Sequence, residues 1–193
     1  MIKTQYTGFS LSVSREHLRL YYLRLDQHRQ TIIARIPVDV SISEFIPELE
    51  LFDKTIREQR NKRHDTVLIA FSEAQPVGYL FATTQDCWVS EIGDWLIITP
   101  HEVYLYDAFT HPAYRGKHIY ATLLNHAADF FRQRGYSHAL IFAGAQNMSS
   151  IKGIEYCGFS EYGSVQRLKL LGRNIWDFKI TRRYVTSHFK NEI

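Results

Sequence analysis

Two cysteines, five prolines and ten glycines are all that 193 residues contain. Cys87 and Cys157 are too few and too far apart for a disulfide framework, so both are expected to be reduced, structural thiols. No Pro-, Gly- or Ser-rich linker, repeat or low-complexity tract divides the chain, which predicts one domain over 1–193. A chain of this length is expected to bury one sizeable core. Long hydrophobic runs are missing too. The N-terminus shows no apolar run of signal-peptide length, and no stretch approaches the roughly 18 apolar residues of a membrane span, so a cytoplasmic protein without a membrane partner is expected. An excess of one charge is also lacking. A net charge of +3 does not make nucleic acid the default partner, because phosphate-backbone binders concentrate basic residues on one face. The one locally basic run, 57–65, reads as the solvated end of a surface helix.

Several chemistries are excluded by missing motifs. There is no Walker loop, no Gly-x-Gly-x-x-Gly fingerprint and no Gly-x-Ser-x-Gly elbow. The nine histidines include no His-x-x-x-His pair, and no Cys-x-x-Cys occurs. His111, His118 and His126 do not share a helical face, so no metal site is expected. Cys157 stands beside Gly158, a position that suggests burial rather than a nucleophile.

What is present alternates between strand and helix signals. Residues 18–26 and 31–38 read as strands joined in a hairpin through 27–30. A helix is expected next, capped by Ser43 with Glu44 behind it, with Phe45, Ile46, Leu49, Phe52 and Ile56 at helical spacing. Residues 66–72 and 77–84 bracket a connection of hairpin length. Strand signals follow at 94–100 and 102–111. From Tyr114 to Arg134 the apolar residues Ile119, Leu123, Ala127 and Phe130 keep helical spacing, and Gly135 stands at the C′ position. Residues 138–144 read as a buried strand, 147–159 as a short helix ended by Gly158, and the tail as two strands or one bent hairpin. The sum is a mixed α/β pattern with at least one parallel crossover around 103–143.

The stretch HPAYRGKHIYATLL, 111–124, passes from strand to helix and sets Arg115, Gly116 and Lys117 at the boundary. The first four N–H groups of a helix lack internal partners, and the helix dipole places roughly half a positive charge there. Glycine lets an anion approach the backbone, and the two cations add charge-assisted contacts. The stretch is therefore a candidate phosphate cradle; a tight turn with solvated basic residues is the alternative.

In order and spacing, the strand VYLYDAFTHP, the junction AYRGKHIYATLL, the strand ALIFAGA and the segment NMSSIKGIEYCGF resemble the core of the GNAT superfamily of acyl-CoA-dependent N-acyltransferases. The resemblance covers roughly 103–163 of the chain. It implies a mixed, mostly antiparallel central sheet with one splayed parallel pair and helices on both faces. Residues 1–65 would then supply N-terminal strands and an acceptor-side helix, 66–163 the acyl-CoA core, and 164–193 C-terminal strands.

It further implies acetyl-CoA as the acyl donor and an amine-bearing acceptor. The expected activity is direct attack in a ternary complex; the alternative is a non-catalytic acyl-CoA-binding domain. Homodimerisation through the C-terminal strands is common in such folds. The family's pyrophosphate signature begins at Arg115, with Gly116 as a frequent glycine. His118 and Tyr120 replace its two small residues, so binding would rest on backbone amides of about 116–120, including Ile119, and on Arg115. Tyr120 packs or contacts ligand. Phe109, Thr110 and His111 would offer backbone groups to pantetheine and the thioester oxygen, while Asn147 and Ser150 would line the channel.

The family's tyrosine four residues before the closing glycine, proposed to protonate the departing thiolate, is here Ile154. Tyr156 is either a substitute or ordinary packing. The general base is expected at Asp107, two residues before the presumed oxyanion donor on the same face by alternation, or at His111. Asp107 read blandly is a polar residue on the far face. Glu102 and Glu91 are further candidates, and Trp88, Trp95 and Tyr106 form an acceptor wall or part of the core.

Overall fold

Alternation of apolar side chains builds the sheet. Leu18 and Leu20 pack on one face while Tyr21 and Leu23 pack on the other, as the two-residue period of a strand requires. The computed structural model describes residues 13–27, 30–91, 93–170 and 173–181. In chain order these form β1 (Val13–Arg24), β2 (Asp39–Ser43), α1 (Lys54–Lys62), β3 (Thr66–Ser72), β4 (Gln75–Thr83), β5 (Cys87–Val89), β6 (Asp94–Leu96) and β7 (Glu102–Thr110). A single 3₁₀ turn (Pro112–Tyr114) leads into α2 (Ile119–Gln133), followed by β8 (His138–Gly144), α3 (Met148–Tyr156), β9 (Ser160–Leu170) and β10 (Arg173–Thr181). Eight strands form one sheet in the order β10, β9, β1, β8, β7, β4, β3, β2, and β5 and β6 pair separately. Every neighbouring pair in the large sheet is antiparallel except β7 and β8. Among the described residues no helix is long and apolar enough to cross a membrane.

Helices cover both faces. α2 and α3 bury Leu123, Leu124, Ile151 and Ile154 against Leu68, Leu80, Leu105 and Ile141. The opposite face carries Val67, Ile69 and Phe81 under Ile46 and Phe52, with α1 reaching it through Arg60, whose guanidinium lies 3.7 Å from the Phe81 ring centre.

Four local expectations are corrected. Residues 31–38 are not a strand and do not pair with β1, which lies instead between β8 and β9. They are irregular chain with a bend at 35–36, tied to α2 and the loop before it: the Ile32 amide donates to Asn125 Oδ1 at 2.9 Å and the Arg35 amide to the Lys117 carbonyl at 2.9 Å. Their alternating burial is real, but the surface that absorbs it is a helix. The helix expected from Ser43 starts only at Lys54. Pro47 accounts for this, since it lacks an N–H and disfavours helical geometry at Ile46; Ile46 and Phe52 reach the core from irregular chain. The strand expected over 94–100 ends at Leu96, and its partner β5 was not anticipated. The helix expected from Tyr114 begins at Ile119, because Gly116 (φ 75°) and His118 (φ 62°) are left-handed and cannot propagate a right-handed helix.

Asp53 takes the role expected of Ser43. Its carboxylate accepts from the amides of Thr55 at 2.8 Å and Ile56 at 3.3 Å, satisfying two otherwise orphaned donors. Asp53→Ala is expected to cost about 1 kcal/mol of stability, read as a shift in the urea midpoint at unchanged slope.

Candidate functional site

β7 and β8 pair only over Glu102–Leu105 with His138–Ile141. Beyond them β7 stays with β4 through Tyr106, Phe109 and Thr110, and β8 stays with β1 through Phe142, Ala143 and Gly144. The sheet therefore opens between Tyr106 and Phe142. A bulge helps to open it: Tyr79 faces Phe109 but Phe81 faces Tyr106, so β7 carries one residue too many, and Asp107 sits there with φ 45°. This breaks the alternation that was to put 107 and 109 on one face.

Two cavities flank the opening. The first, about 780 Å³, is lined by Thr110, Arg115, Gly116, His118, Lys152 and Tyr156, among others. The second, about 650 Å³, is lined by Arg60, Arg63, Trp88, Glu91, Tyr106 and Asp107, among others. Ala108, Tyr120, Asn147 and Ser150 line both.

The first cavity receives the N-terminus of α2. Asp53 caps α1 and Asn147 caps α3, the latter accepting from the Ser150 amide at 3.2 Å. No side chain caps α2. Residues at its start, His118 to Ala121, line the cavity, where the positive end of the helix dipole lies. Arg115 is anchored there, its Nε donating to the Thr110 carbonyl at 3.3 Å. Gly116 has nothing within 4 Å of where a Cβ would stand, so its φ of 75° rather than crowding demands glycine. His118 lies 5.2 Å ring to ring from Tyr156, and both line the first cavity alone. Lys117 does not line the cavity, its ammonium lying 4.9 Å from the ring centre of Tyr114, and Lys152 of α3 supplies the second cation. Sequence reasoning missed Lys152, since only the fold brings α3 beside the start of α2.

The remaining candidates separate. Phe109 and Ile119 line the first cavity, Phe109 stacked on Tyr79 at 5.6 Å. The His111 amide is consumed by the Val77 carbonyl at 2.9 Å, and its Nδ1 accepts from the Ala113 amide at 3.3 Å, capping the 3₁₀ turn. It lines neither cavity. Tyr156 is 58 % exposed and lies on the first cavity but not at the opening. Ile154 is buried in the core. Glu102 is buried, accepting from the Thr99 amide at 3.0 Å, and so holds a turn. Ala108, where the cavities meet, was not singled out, and no compositional signal marks the bulge that exposes it.

The second cavity corrects the reading of 57–65 as merely solvated. Arg60 donates to the Asp107 carboxylate, and Arg63 donates to the fully buried Asp65 at 2.5 Å and to the Tyr106 hydroxyl at 2.7 Å. Burial and then the charge of Asp107 push the Tyr79 phenol up, keeping it a neutral neighbour of that carboxylate. Glu91 accepts from the Ser90 hydroxyl at 2.9 Å. Trp88 lines the cavity; Trp95 supports it from outside, edge-on at 6.1 Å.

Burial pushes the thiol of Cys87, also on this cavity, from 9.0 up to about 11, which favours the protonated form over the nucleophilic thiolate. Burial chiefly raises the buried phenols of Tyr21, Tyr106, Tyr120 and Tyr162 as well. The unfolded chain then releases protons first as pH rises, so this stability is complete below about pH 9 and is lost progressively above it. Urea midpoints are expected to hold steady up to that pH and fall by pH 11.

The sequence pattern of the acetyltransferase (GNAT) family matches residues 21–159. Comparison with curated proteins yields no match. Among solved structures, the fold is similar to a GCN5-related N-acetyltransferase from Sphaerobacter thermophilus, at 14% identity and a TM-score of 0.56 over 86% of this chain and 54% of that one. It is also similar to a GCN5-related N-acetyltransferase from Kribbella flavida (11%, 0.51, 83% and 59%) and to a GNAT-family acetyltransferase from Colwellia psychrerythraea (10%, 0.51, 82% and 56%). The chain spans little more than half the length of those structures.

Proposed function

Because this chain belongs to the acetyltransferase (GNAT) family, we propose that it transfers an acetyl group from acetyl-CoA to a primary amine by direct attack. The supporting observation is the α2 N-terminus: a 15-residue helix without a side-chain cap opens on a cavity with Arg115 and Lys152, and that cavity meets a second one at the break in the sheet. Arg115, Lys152 and the open amides would hold the diphosphate. The gap between Tyr106 and Phe142 would take the pantetheine arm, and backbone groups freed along β7 would polarise the thioester carbonyl.

The acceptor would enter the second cavity. An alkylammonium with a pKa near 10.4 must lose a proton before attack, and Asp107, next to the shared residue Ala108, is assigned as its acceptor. Nitrogen then bonds to the carbonyl carbon, the carbon–sulfur bond breaks, and the second proton that nitrogen sheds in becoming an amide passes to the departing thiolate, directly or through water. Arg60 holds the Asp107 carboxylate in place. A single-domain enzyme in the cytoplasm, with the donor and a small amine or peptide as its partners, completes the proposal.

A non-catalytic acyl-CoA-binding domain has one observation in its favour: Ile154 is buried at the family's tyrosine position. Thiol release from acetyl-CoA across a panel of amines, polyamines, aminosugars and peptides separates the two. Saturable CoA binding with amine-dependent release supports the enzyme; binding without release on any acceptor supports the rival, and no binding defeats both.

A further inference from the structure

We propose that Tyr120, seated on Gly153, sets the size of the acyl group that this protein accepts, admitting acetyl and rejecting longer chains. The inference rests on the acyl-CoA reading above, but concerns a residue at which the chain departs from the family signature.

Tyr120 lies where the two cavities meet, and only Ala108, Asn147 and Ser150 share that position. The thioester would meet the acceptor where the cavities join, so its acyl group would rest beside these four residues. β7 contributes Ala108 to this junction, and α2 contributes Tyr120.

The ring is held at two points. A Cβ built on Gly153 would stand 2.7 Å from Tyr120 Cδ1 and 3.1 Å from Cε1, so the ring occupies space that any other residue at 153 would fill. A glycine inside a helix is unfavourable by about 1 kcal/mol relative to alanine, and this fit supplies its reason. The phenol oxygen lies 3.3 Å from Ser150 Oγ, one turn earlier on the same helix. Burial keeps the phenol neutral, so this hydrogen bond does not dissolve near neutral pH. Asn147 is equally fixed, accepting from the Ser150 amide and the Ser149 hydroxyl. Large at 120 and small at 153 is thus a matched pair that seats a planar ring beside the acyl position and takes up room a longer chain would need. Packing of this kind discriminates one methylene by about 10- to 200-fold.

The test uses the full chain with acetyl-, propionyl-, butyryl- and hexanoyl-CoA, reading kcat/KM and, independently of turnover, the calorimetric Kd. Wild type is expected to favour acetyl over propionyl by at least about 10-fold and over butyryl by at least about 100-fold. Tyr120→Ala is expected to bring the acetyl-to-butyryl ratio within about 10-fold, whereas Tyr120→Phe, which keeps the ring, keeps the ratio. Equal use or equal binding of acetyl and butyryl donors by wild type overturns the inference and leaves the acyltransferase reading standing, and that result needs no variant to fold. A ratio unchanged in Tyr120→Ala overturns it too. Failure of wild type to bind any of the four donors removes the parent reading and this one together.

Discussion

Arg115→Glu is expected to weaken acetyl-CoA binding by about 100-fold. A charge-assisted hydrogen bond contributes about 1.5–3 kcal/mol, and each 1.4 kcal/mol is tenfold in affinity. Reversal adds repulsion toward the diphosphate in a partly desolvated cavity. The fold should survive, because Arg115 is exposed, its Nε bonds only the Thr110 carbonyl among the described residues, and a carboxylate near an uncapped helix N-terminus is favourable. Loss of binding therefore reports on the site and not on unfolding. Calorimetry at fixed ionic strength gives the Kd; a value within threefold of wild type removes Arg115 from the cradle. Lys152→Ala provides an internal scale, expected to fall between the two, since it deletes a cation without reversing it.

Asp107→Asn is expected to lower kcat by about 100-fold, the lower end of general-base contributions, with the Kd for acetyl-CoA little changed. The residue lines the second cavity, proposed for the acceptor, and not the first, so the effect belongs on turnover. Asparagine is suited to the position geometrically. Asp107 has φ 45°, and asparagine is among the few side chains that adopt left-handed backbone readily, so the bulge persists while the charge goes. Arg60 then loses its ion-pair partner. With its side chain 13 % exposed and stacked on Phe81, some stability is lost as well, and thermal denaturation separates that from the rate. A kcat within threefold of wild type shifts the proton acceptor to Glu91, which lines the same cavity; Glu91→Gln then has to show the loss.

The parts of this molecule that were legible in its sequence are those where one local pattern admits one partner. The apolar spacing of Ile119, Leu123, Ala127 and Phe130 demanded a helix, and Gly135 its end; both stand, with Gly135 at φ 85°. Residues 31–38 show where such reasoning stops. Their two-residue alternation marks one partly buried side but no strand, because the same alternation suits irregular chain lying on a helix as well as a neighbouring strand. The basic run at 57–65 is a second case. Nothing local distinguishes Arg60 and Arg63, which reach inward to Asp107 and Asp65, from Lys62, which does not line either cavity.

For the site, sequence supplied the loop-to-helix junction and its cation, because a helix start with glycine and arginine is a local electrostatic device. It also supplied the order of strands and helices from which the family was named, and the family pattern over 21–159 bears this out. Tertiary structure decided which groups meet. It put Lys152 rather than Lys117 on the cavity, took His111 out of it, opened β7 from β8 at an unannounced bulge, and matched Tyr120 to Gly153 across two helices. The reason is range: capping, periodicity and left-handed glycine act within a few residues, whereas convergence of side chains from α1, β7, α2 and α3 depends on packing contacts between segments as far apart as Arg60 and Ser150.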